Sequence, residues 1–354
     1  MNVAPRPVSI DDKYDLREGI AFMTGVQALV RIPLEQAWRD REAGLTSGTL
    51  ISGYPGSPIA ALDQLLHRAK SKYFEPLNIH FVPAVNEEIA AATVYGAHMG
   101  EIYGGRNVDA VTGIWYGKSP GLLRAMDVIK SANYGGLPPN GAALAVVGDD
   151  PAGKSSVIPN CSVREFQACG IPVLFPASPD EVLTLGLHGI ALSRFAGLWV
   201  GLKVVTHIAD GGAAVPVGPD RPRITIPTIE GFGHVYTFMT GPPVHLRGEQ
   251  HLFEQRLPAA LAYARANHLN LITQRGEQDR IGIVAAGKTY TDLRQSLEDM
   301  GMGPGELERA GIRLLKISMV YPLDKELVRD FARGLRSIVV VEEKRDLLQT
   351  GLYL

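Results

Sequence analysis

The chain has 354 residues, of which 45% are hydrophobic and 20% are charged. This composition is typical of a globular protein and excludes a disordered chain, and the length allows two domains. A formal net charge of −2 gives no basic field that would favour nucleic acid or an anionic membrane surface. No apolar run reaches the roughly 20 residues of a membrane span, and the N-terminus lacks a signal-peptide pattern. The spacing of Cys161 and Cys169 fits no disulfide framework or metal site, so we expect reduced thiols in the cytoplasm.

Apolar stretches alternate with helical patterns after a proline-rich, charged arm at residues 1–16. Residues 17–43 are predicted to be mostly helical, with a break or a kink near Pro33. The predicted strands that follow are 49–53, 79–83, 108–115, 142–147, 172–175 and 198–206. Apolar strands separated by helices indicate a parallel sheet that is covered on both faces. We therefore predict an α/β domain over residues 17–207.

Glycine, proline and isolated charges dominate residues 208–246, which predicts a linker or a long surface loop. A second, smaller α/β domain is predicted over residues 247–354. Its predicted parts are a helix at 247–269, strands at 280–286, 312–318 and 338–341, and helices at 289–300 and 324–333. Residues 343–354 resemble a helix that has just begun. This leaves open whether the chain ends there or was cut from a longer protein.

Three of the predicted strand-to-helix turns contain a Ser-Pro pair. The pairs are Ser57-Pro58, Ser119-Pro120 and Ser178-Pro179. The hydroxyl of a serine at N-cap accepts a hydrogen bond from an N–H of the first helical turn. A proline at N1 costs no hydrogen bond, because the N–H at that position has no partner within the helix. Glu181 would complete a capping box with Ser178. Turns at the carboxyl ends of parallel strands line the ligand crevice of open α/β sheets, so we expect Ser57, the pair Asn86–Glu87 and Lys118 to lie along one edge.

The stretch from Phe81 to Gly100 contains the strongest candidate site. Asn86 is predicted to cap a helix whose first turn holds Glu87 and Glu88. Small residues and a histidine follow Glu87 on one face at helical spacing, namely Ala90, Ala91, Val94, Ala97 and His98. A carboxylate above small side chains leaves room for a flat ligand. Acidic side chains also stabilise the start of a helix through the helix dipole alone. The pattern therefore indicates either a ligand site or an ordinary helix start.

Residues 148–155, Gly-Asp-Asp-Pro-Ala-Gly-Lys-Ser, match the P-loop pattern directly after a predicted strand. In a P-loop the helix begins at the Lys-Ser pair, so that its N–H groups face the phosphates. Here Pro159 follows closely, and the next helix start is a predicted capping box from Ser162 to Glu165. Asp149 and Asp150 would also place carboxylates where phosphates should lie. A nucleotide-binding protein using Gly148–Ser155 is therefore the second alternative.

Several other side chains have two interpretations each. Lys118 is either an exposed lysine or a cation held for an acidic substrate, with Ser119 as a further donor. His98 is favoured as a hydrogen-bonded core histidine over a catalytic base. Tyr54 and Trp115 are favoured as packing residues over walls of an aromatic pocket. The sequence contains no metal-ligand cluster and no nucleophile elbow.

A series of motifs occurs in a fixed order: residues 23–29, Gly53-Tyr-Pro-Gly-Ser-Pro58, Asn86-Glu-Glu-Ile-Ala90, Gly117-Lys-Ser-Pro-Gly-Leu122, and residues 148–156 and 170–176. Together they resemble the 2-oxoacid:ferredoxin oxidoreductases, and most closely the indolepyruvate ferredoxin oxidoreductase branch. The resemblance implies a pyrimidine-binding domain for thiamine diphosphate. Residues 320–324 and 340–343 resemble the transketolase C-terminal-like domain of the same family. The match extends from about residue 17 to residue 346.

The resemblance also implies roles for individual residues. Glu87 corresponds to the carboxylate that serves thiamine diphosphate, where a proton shared with the ring nitrogen N1′ favours the reactive tautomer of the aminopyrimidine. Cofactor contacts are implied for Tyr54, Pro55, Gly56 and Asn86. Substrate contacts are implied for Ser57, Lys118 and Ser119, although the family often has a histidine where this chain has Ser119. Glu88 points about 100° away from Glu87 and is expected on the surface.

Two features of such enzymes are missing from the sequence: the Gly-Asp-Gly segment that holds Mg²⁺ and the diphosphate, and the cysteine clusters of iron–sulfur centres. The resemblance therefore implies a shared cofactor site, completed by a diphosphate-binding domain or subunit that carries the iron–sulfur clusters. It implies oxidative decarboxylation of an aryl pyruvate with coenzyme A and ferredoxin, and a dimer. We expect little activity from the chain alone. The first alternative is a non-catalytic assembly subunit or fragment with the same fold.

Overall fold

A computed structural model of the chain describes residues 8–154, 156–233, 236 and 244–352. The strands are β1 (Gly19–Thr24), β2 (Ser47–Gly53), β3 (Ile79–Phe81), β4 (Ala110–Lys118), β5 (Gly141–Asp149), β6 (Val173–Leu174), β7 (Trp199–Val205), β8 (Gly212–Val217), β9 (Asn270–Gln274), β10 (Ile281–Ala286), β11 (Ile312–Ile317), β12 (Met319–Tyr321) and β13 (Ser337–Val341).

The α-helices are α1 (Asp12–Asp15), α2 (Gly25–Glu42), α3 (Ala61–Ala69), α4 (Glu87–His98), α5 (Gly100–Tyr103), α6 (Ser119–Gly135), α7 (Val163–Ala168), α8 (Pro179–Ala196), α9 (Thr206–Asp210), α10 (Val244–His251), α11 (Leu257–Ala266), α12 (Gly287–Asp299), α13 (Pro304–Ala310), α14 (Lys325–Ala332) and α15 (Leu347–Leu352). Short π-helical turns cover Lys70–Phe74 and Leu252–Arg256, and a 3₁₀ turn covers Glu75–Leu77. Within the described ranges, none of the helices is long and apolar enough to cross a membrane.

A sheet in the order β12-β6-β7-β5-β4-β2-β3 forms the centre of the molecule. All its neighbouring strands pair in parallel except β12. Every residue of β5 and β7 is buried, as apolar strands require when helices cover both faces. Helix α8 packs on these two strands, while α4 packs on β4 and on α6. The predicted α/β fold class is confirmed.

The second sheet has the order β13-β10-β11-β9. Strands β10, β11 and β13 are parallel, and β9 is antiparallel to β11. The three strands and two helices predicted after residue 280 are present within a few residues of their predicted bounds. Strand β9 was missed, because it begins where the predicted helix at 247–269 ends.

Parts of the chain after residue 243 pack on the first unit. Strand β12 leaves the second sheet and pairs antiparallel with β6, with Met319 opposite Leu174. Helix α10 packs on α6, and helix α11 packs on α8. Residues 244–266 and 319–321 therefore belong to the first unit by their packing.

The predicted linker over 208–246 is also shorter in the structure. Strand β8 pairs antiparallel with β1, and its Val215 and Val217 are buried. Residues 218–233 contain no helix or strand, and 234–235 and 237–243 lie outside the described residues. The linker prediction was wrong at β8. Glycine, alanine and proline have low strand propensity, so the sequence of β8 does not indicate a strand, and its pairing with β1 stabilises it instead.

The N-terminal region is more ordered than predicted. Helix α1 lies within the predicted arm, and its Tyr14 is buried, while residues 1–7 lie outside the described residues. Arg31 of α2 donates hydrogen bonds to the carbonyl oxygens of Asp12 and Lys13. Residues 19–24 form β1 rather than a helix, and α2 continues through Pro33 without a break.

Candidate functional site

The carboxyl ends of β2, β4 and β5 lie side by side at one edge of the central sheet. Gly53 is paired with Tyr116, and Lys118 with Gly148. The turn after β2 crosses these strand ends. A methyl group placed on Gly56 would lie 3.0 Å from Cδ of Lys118, and one on Gly148 would lie 2.8 Å from Cδ of Pro58. The structure thus brings the Tyr54–Pro58 turn and Lys118 together.

Glu87 is the first residue of α4, and only 4% of its surface is exposed. Asn86 caps this helix, since its Oδ1 accepts a hydrogen bond from the Ile89 N–H at 2.8 Å. The indole Nε1–H of Trp115 donates to the backbone carbonyl oxygen of Glu87 at 2.9 Å. These two hydrogen bonds fix the first turn of α4. The Glu87 carboxylate itself makes no hydrogen bond or ion pair within the described part of the chain.

Two glycines leave the space that the Glu87 side chain occupies. A methyl group on Gly121, in the first turn of α6, would lie 2.6 Å from both Oε1 and Cγ of Glu87. A methyl group on Gly117, near the end of β4, would lie 3.6 Å from Cγ. The carboxylate is therefore held against the end of β4 and the start of α6.

The rest of the predicted helical face follows this orientation. Ala90, Ala91, Val94 and His98 are buried, Ala97 is half-buried, and Glu88 is exposed. His98 has no hydrogen-bond partner for either ring nitrogen within the described residues, so the predicted hydrogen bond is wrong. Burial, together with the nearby Arg106, lowers the pKa of His98 to about 4. A neutral imidazole packed against β4 therefore replaces the hydrogen-bonded histidine that the pattern predicted.

The predicted substrate-binding residues lie at the ends of β2 and β4. Lys118 is half-buried, and its ammonium group makes no hydrogen bond or ion pair in the described part of the chain. Ser119 is buried, and Ser57 is half-buried and joined to Pro58 by a cis peptide bond. Tyr54 and Pro55 are exposed at the start of the same turn.

Two of the three predicted serine N-caps are wrong. Helix α3 begins after Ala60 rather than at Pro58, and α6 begins at Ser119 itself, with Lys118 at the N-cap position. Only Ser178 caps as predicted, with its Oγ accepting from the Glu181 N–H at 3.2 Å. The Glu181 carboxylate accepts from the Ala177 N–H instead of closing a capping box.

In the P-loop-like segment, residues 148–155, backbone N–H groups bind the carboxylate of Asp150. The N–H groups of Lys154 and Ser156 donate to the Asp150 carboxylate at 2.9 and 2.8 Å. No helix begins at Lys154 among the described residues, since the next helix is α7. Ser162 precedes α7 without capping it, because its hydroxyl contacts Asp149 at 3.1 Å. The Asp150 carboxylate thus occupies the N–H groups that would bind a phosphate in a P-loop, which argues against nucleotide binding.

Sequence patterns did not reveal four exposed apolar side chains that lie close in sequence to the predicted site residues. They follow the ends of β3 and β4 and are Val82, Val85, Ile89 and Leu123. Val85 is the most exposed of them, at 81%. A possible signal was the spacing of Val82 and Val85, apolar residues in a turn where polar residues are usual. No group of three or more His, Cys, Asp or Glu side chains in the described ranges is arranged to hold a metal ion.

Comparison with known proteins places this geometry in context. The family model of the indolepyruvate oxidoreductase domain matches residues 272–352. Indolepyruvate oxidoreductase subunit IorA of Methanothermobacter thermautotrophicus is 26% identical over 345 residues, which cover 97% of this chain and 50% of the relative. The IorA subunit of Archaeoglobus fulgidus is 24% identical over 322 residues, covering 91% of this chain and 46% of the relative. The chain thus spans about half the length of these curated relatives.

A solved structure supports the fold. The 2-oxoglutarate:ferredoxin oxidoreductase from Magnetococcus marinus, with 2-oxoglutarate, coenzyme A and succinyl-CoA bound, matches with a TM-score of 0.65 at 14% identity. The match covers 94% of this chain and 60% of that chain. The resemblance found in the motifs is confirmed: along almost its whole length the chain is similar to the IorA subunits of indolepyruvate oxidoreductase, and it has the fold of a 2-oxoacid:ferredoxin oxidoreductase.

Proposed function

We propose that this chain supplies the pyrimidine-binding half of a thiamine-diphosphate-dependent 2-oxoacid:ferredoxin oxidoreductase. The proposal depends mainly on one observation, the buried Glu87 carboxylate that no described residue pairs. An ionised carboxylate buried without a partner is costly, so a protein keeps one where a ligand completes its hydrogen bonding. The relationship to IorA subunits favours indolepyruvate or another aryl pyruvate as the substrate.

The residues around Glu87 fit the aminopyrimidine ring of thiamine diphosphate. When bound, this cofactor supplies the carbon nucleophile that attacks the 2-oxo group and takes up the electrons of decarboxylation. Glu87 would hold a proton against the ring nitrogen N1′, which requires a carboxyl group that is not already paired. Asn86 and Trp115 keep that carboxyl group in place through the first turn of α4. Tyr54, Pro55 and Gly56 would contact the cofactor from the turn after β2.

The substrate would bind next to Lys118. Its unpaired ammonium group suits the carboxylate of a 2-oxo acid, and Ser57 and Ser119 offer hydroxyl donors nearby. Because Lys118 lies on the same strand end as Gly117, which borders Glu87, substrate and cofactor would meet at this edge. The expected reaction is oxidative decarboxylation to an acyl-CoA, with electrons passed to ferredoxin.

A second domain or subunit would complete the site. Val82, Val85, Ile89 and Leu123 are exposed near the start of α4 and of α6, and exposed apolar side chains that cluster favour protein contacts. The covering half would carry the Mg²⁺ and diphosphate site and the iron–sulfur clusters, and would exclude water from Glu87. A dimer and a cytoplasmic location are parts of the same proposal. The chain alone would then have little activity.

The test is thiamine-dependent decarboxylation of indolepyruvate by the chain assembled with its diphosphate-binding half. We expect Glu87→Gln to lower the rate by roughly 100-fold or more, because the amide cannot share the proton. Glu88→Gln is the matched control, since Glu88 is the next residue and is exposed. Activity that survives Glu87→Ala would favour the non-catalytic assembly subunit instead.

A further inference from the structure

The first turn of α6 contains a glycine that the backbone does not require. Gly121 has no left-handed φ, and a glycine inside a helix destabilises it relative to alanine. The space around its Cα provides the reason. The position of an added Cβ is 2.6 Å from Oε1 and Cγ of Glu87 and 2.8 Å from its Cδ. Ordinary contacts between such atoms are about 3.5–4.0 Å, so these distances leave no room for a methyl group.

The structure around Gly121 cannot easily give way. Leu122 and Ala125 of α6 are fully buried, so the helix is held against the core. The first turn of α4 is fixed from the other side by the hydrogen bond from Trp115 to the Glu87 carbonyl oxygen. A side chain at position 121 would therefore displace the Glu87 carboxylate rather than either helix.

We propose that Gly121 is a positioning residue for Glu87, so that alanine at this position moves the carboxylate away from its ligand. This inference rests on the proposed function, because the ligand in question is the aminopyrimidine ring. Gly117 differs from Gly121 in that a methyl group there would make an ordinary 3.6 Å contact with Glu87. The steric demand on the carboxylate thus comes from α6.

The steric contact can be tested without any cofactor, by urea unfolding of the 354-residue chain. We expect Gly121→Ala to raise the unfolding equilibrium constant about tenfold, because overpacking destabilises the folded chain. In the Glu87→Ala background the same change should no longer destabilise the chain, because the three atoms nearest to the added methyl group are gone and alanine is the better helix former. Gly96→Ala is the matched control, since Gly96 is a helical glycine of α4 with nothing within 4 Å. An equal loss of stability from Gly121→Ala in the wild type and in Glu87→Ala would contradict the proposed contact between position 121 and Glu87.

The effect on the ligand needs the assembled protein. Binding of thiamine diphosphate can be followed by the fluorescence of Trp115, which is hydrogen-bonded to Glu87. We expect Gly121→Ala to weaken binding about tenfold and Gly96→Ala to leave it unchanged. Unchanged affinity in Gly121→Ala would overturn the positioning role. If the wild type binds no thiamine diphosphate, the proposed function is wrong. The urea unfolding experiments would still show whether position 121 contacts Glu87.

Discussion

Two buried histidines make the folded chain sensitive to acid. Burial lowers the pKa of His98 and of His188 to about 4, helped by Arg106 and Arg39 respectively. In the unfolded chain both would titrate near 6.5, so the unfolded state binds more protons between pH 6.5 and pH 4. The contribution of the neutral histidines to stability is complete above pH 6.5. It is lost as the pH falls towards 4, at about 1.4 kcal/mol per pH unit and histidine.

Urea unfolding between pH 4.5 and pH 7.5 measures this dependence. The variant His98→Leu should have a shallower loss of stability with acid, because an apolar side chain replaces a ring that has no hydrogen-bond partner in the described residues. His67→Gln is the control, since the His67 side chain is 55% exposed. A pH dependence that His98→Leu leaves unaltered would contradict the prediction.

At the scale of single residues, the helical period predicted which side chains of a helix are buried and which are exposed. The period places Glu87 inwards and Glu88 outwards, and the structure has both orientations. The contact of Glu87 with Gly121 depends on how closely α4 and α6 approach, which no local pattern encodes. For the same reason the unpaired state of the carboxylate had to come from the structure.

Among the elements, the loop after β5 permits a direct test of nucleotide binding. The Asp150 carboxylate accepts hydrogen bonds from the Lys154 and Ser156 N–H groups. We expect no saturable binding of labelled ATP in equilibrium dialysis, and no effect of Lys154→Ala. Asp150→Ala should destabilise the chain by about 1 kcal/mol, because two partly buried N–H donors lose a charged acceptor. Binding of ATP that Lys154→Ala abolishes would restore the nucleotide-binding alternative.

Elements with a strong apolar period were predictable, and elements that depend on distant partners were not. Strands β5 and β7 are apolar along most of their length and were predicted close to their observed bounds. Strands β1 and β8 were missed, because each is stabilised by the other across the chain. The break predicted at Pro33 is absent, since burial of Ile32 and Leu34 holds α2 together despite one lost hydrogen bond.

In the whole molecule, Lys203 connects the two units. It lies in the middle of β7, and 3% of its surface is exposed. Its ammonium group is 3.7 Å from Asp149 and 3.4 Å from Glu343, which follows β13. Burial alone would lower the pKa of Lys203, but Cys161, Asp149 and Glu343 raise it above its usual value. The charged lysine therefore ties the carboxyl edge of the central sheet to the end of the second sheet.

Removal of this charge should be costly. We expect Lys203→Met to lower the free energy of unfolding by roughly 3–5 kcal/mol, because Asp149 stays buried without its cation. Lys288→Met is the control, since Lys288 forms only a surface pair with Asp292 and should change stability by less than about 0.5 kcal/mol. Chemical denaturation of the three proteins measures both effects. Similar losses for the two variants would exclude a special role of Lys203.

Strand β12 gives the molecule an interleaved topology, because a piece of the later unit completes the earlier sheet. Severing the polypeptide before residue 247 would uncover the outer edge of β6, and bare strand edges recruit other chains. Separately expressed halves should therefore precipitate, whereas the intact polypeptide should melt in one cooperative step.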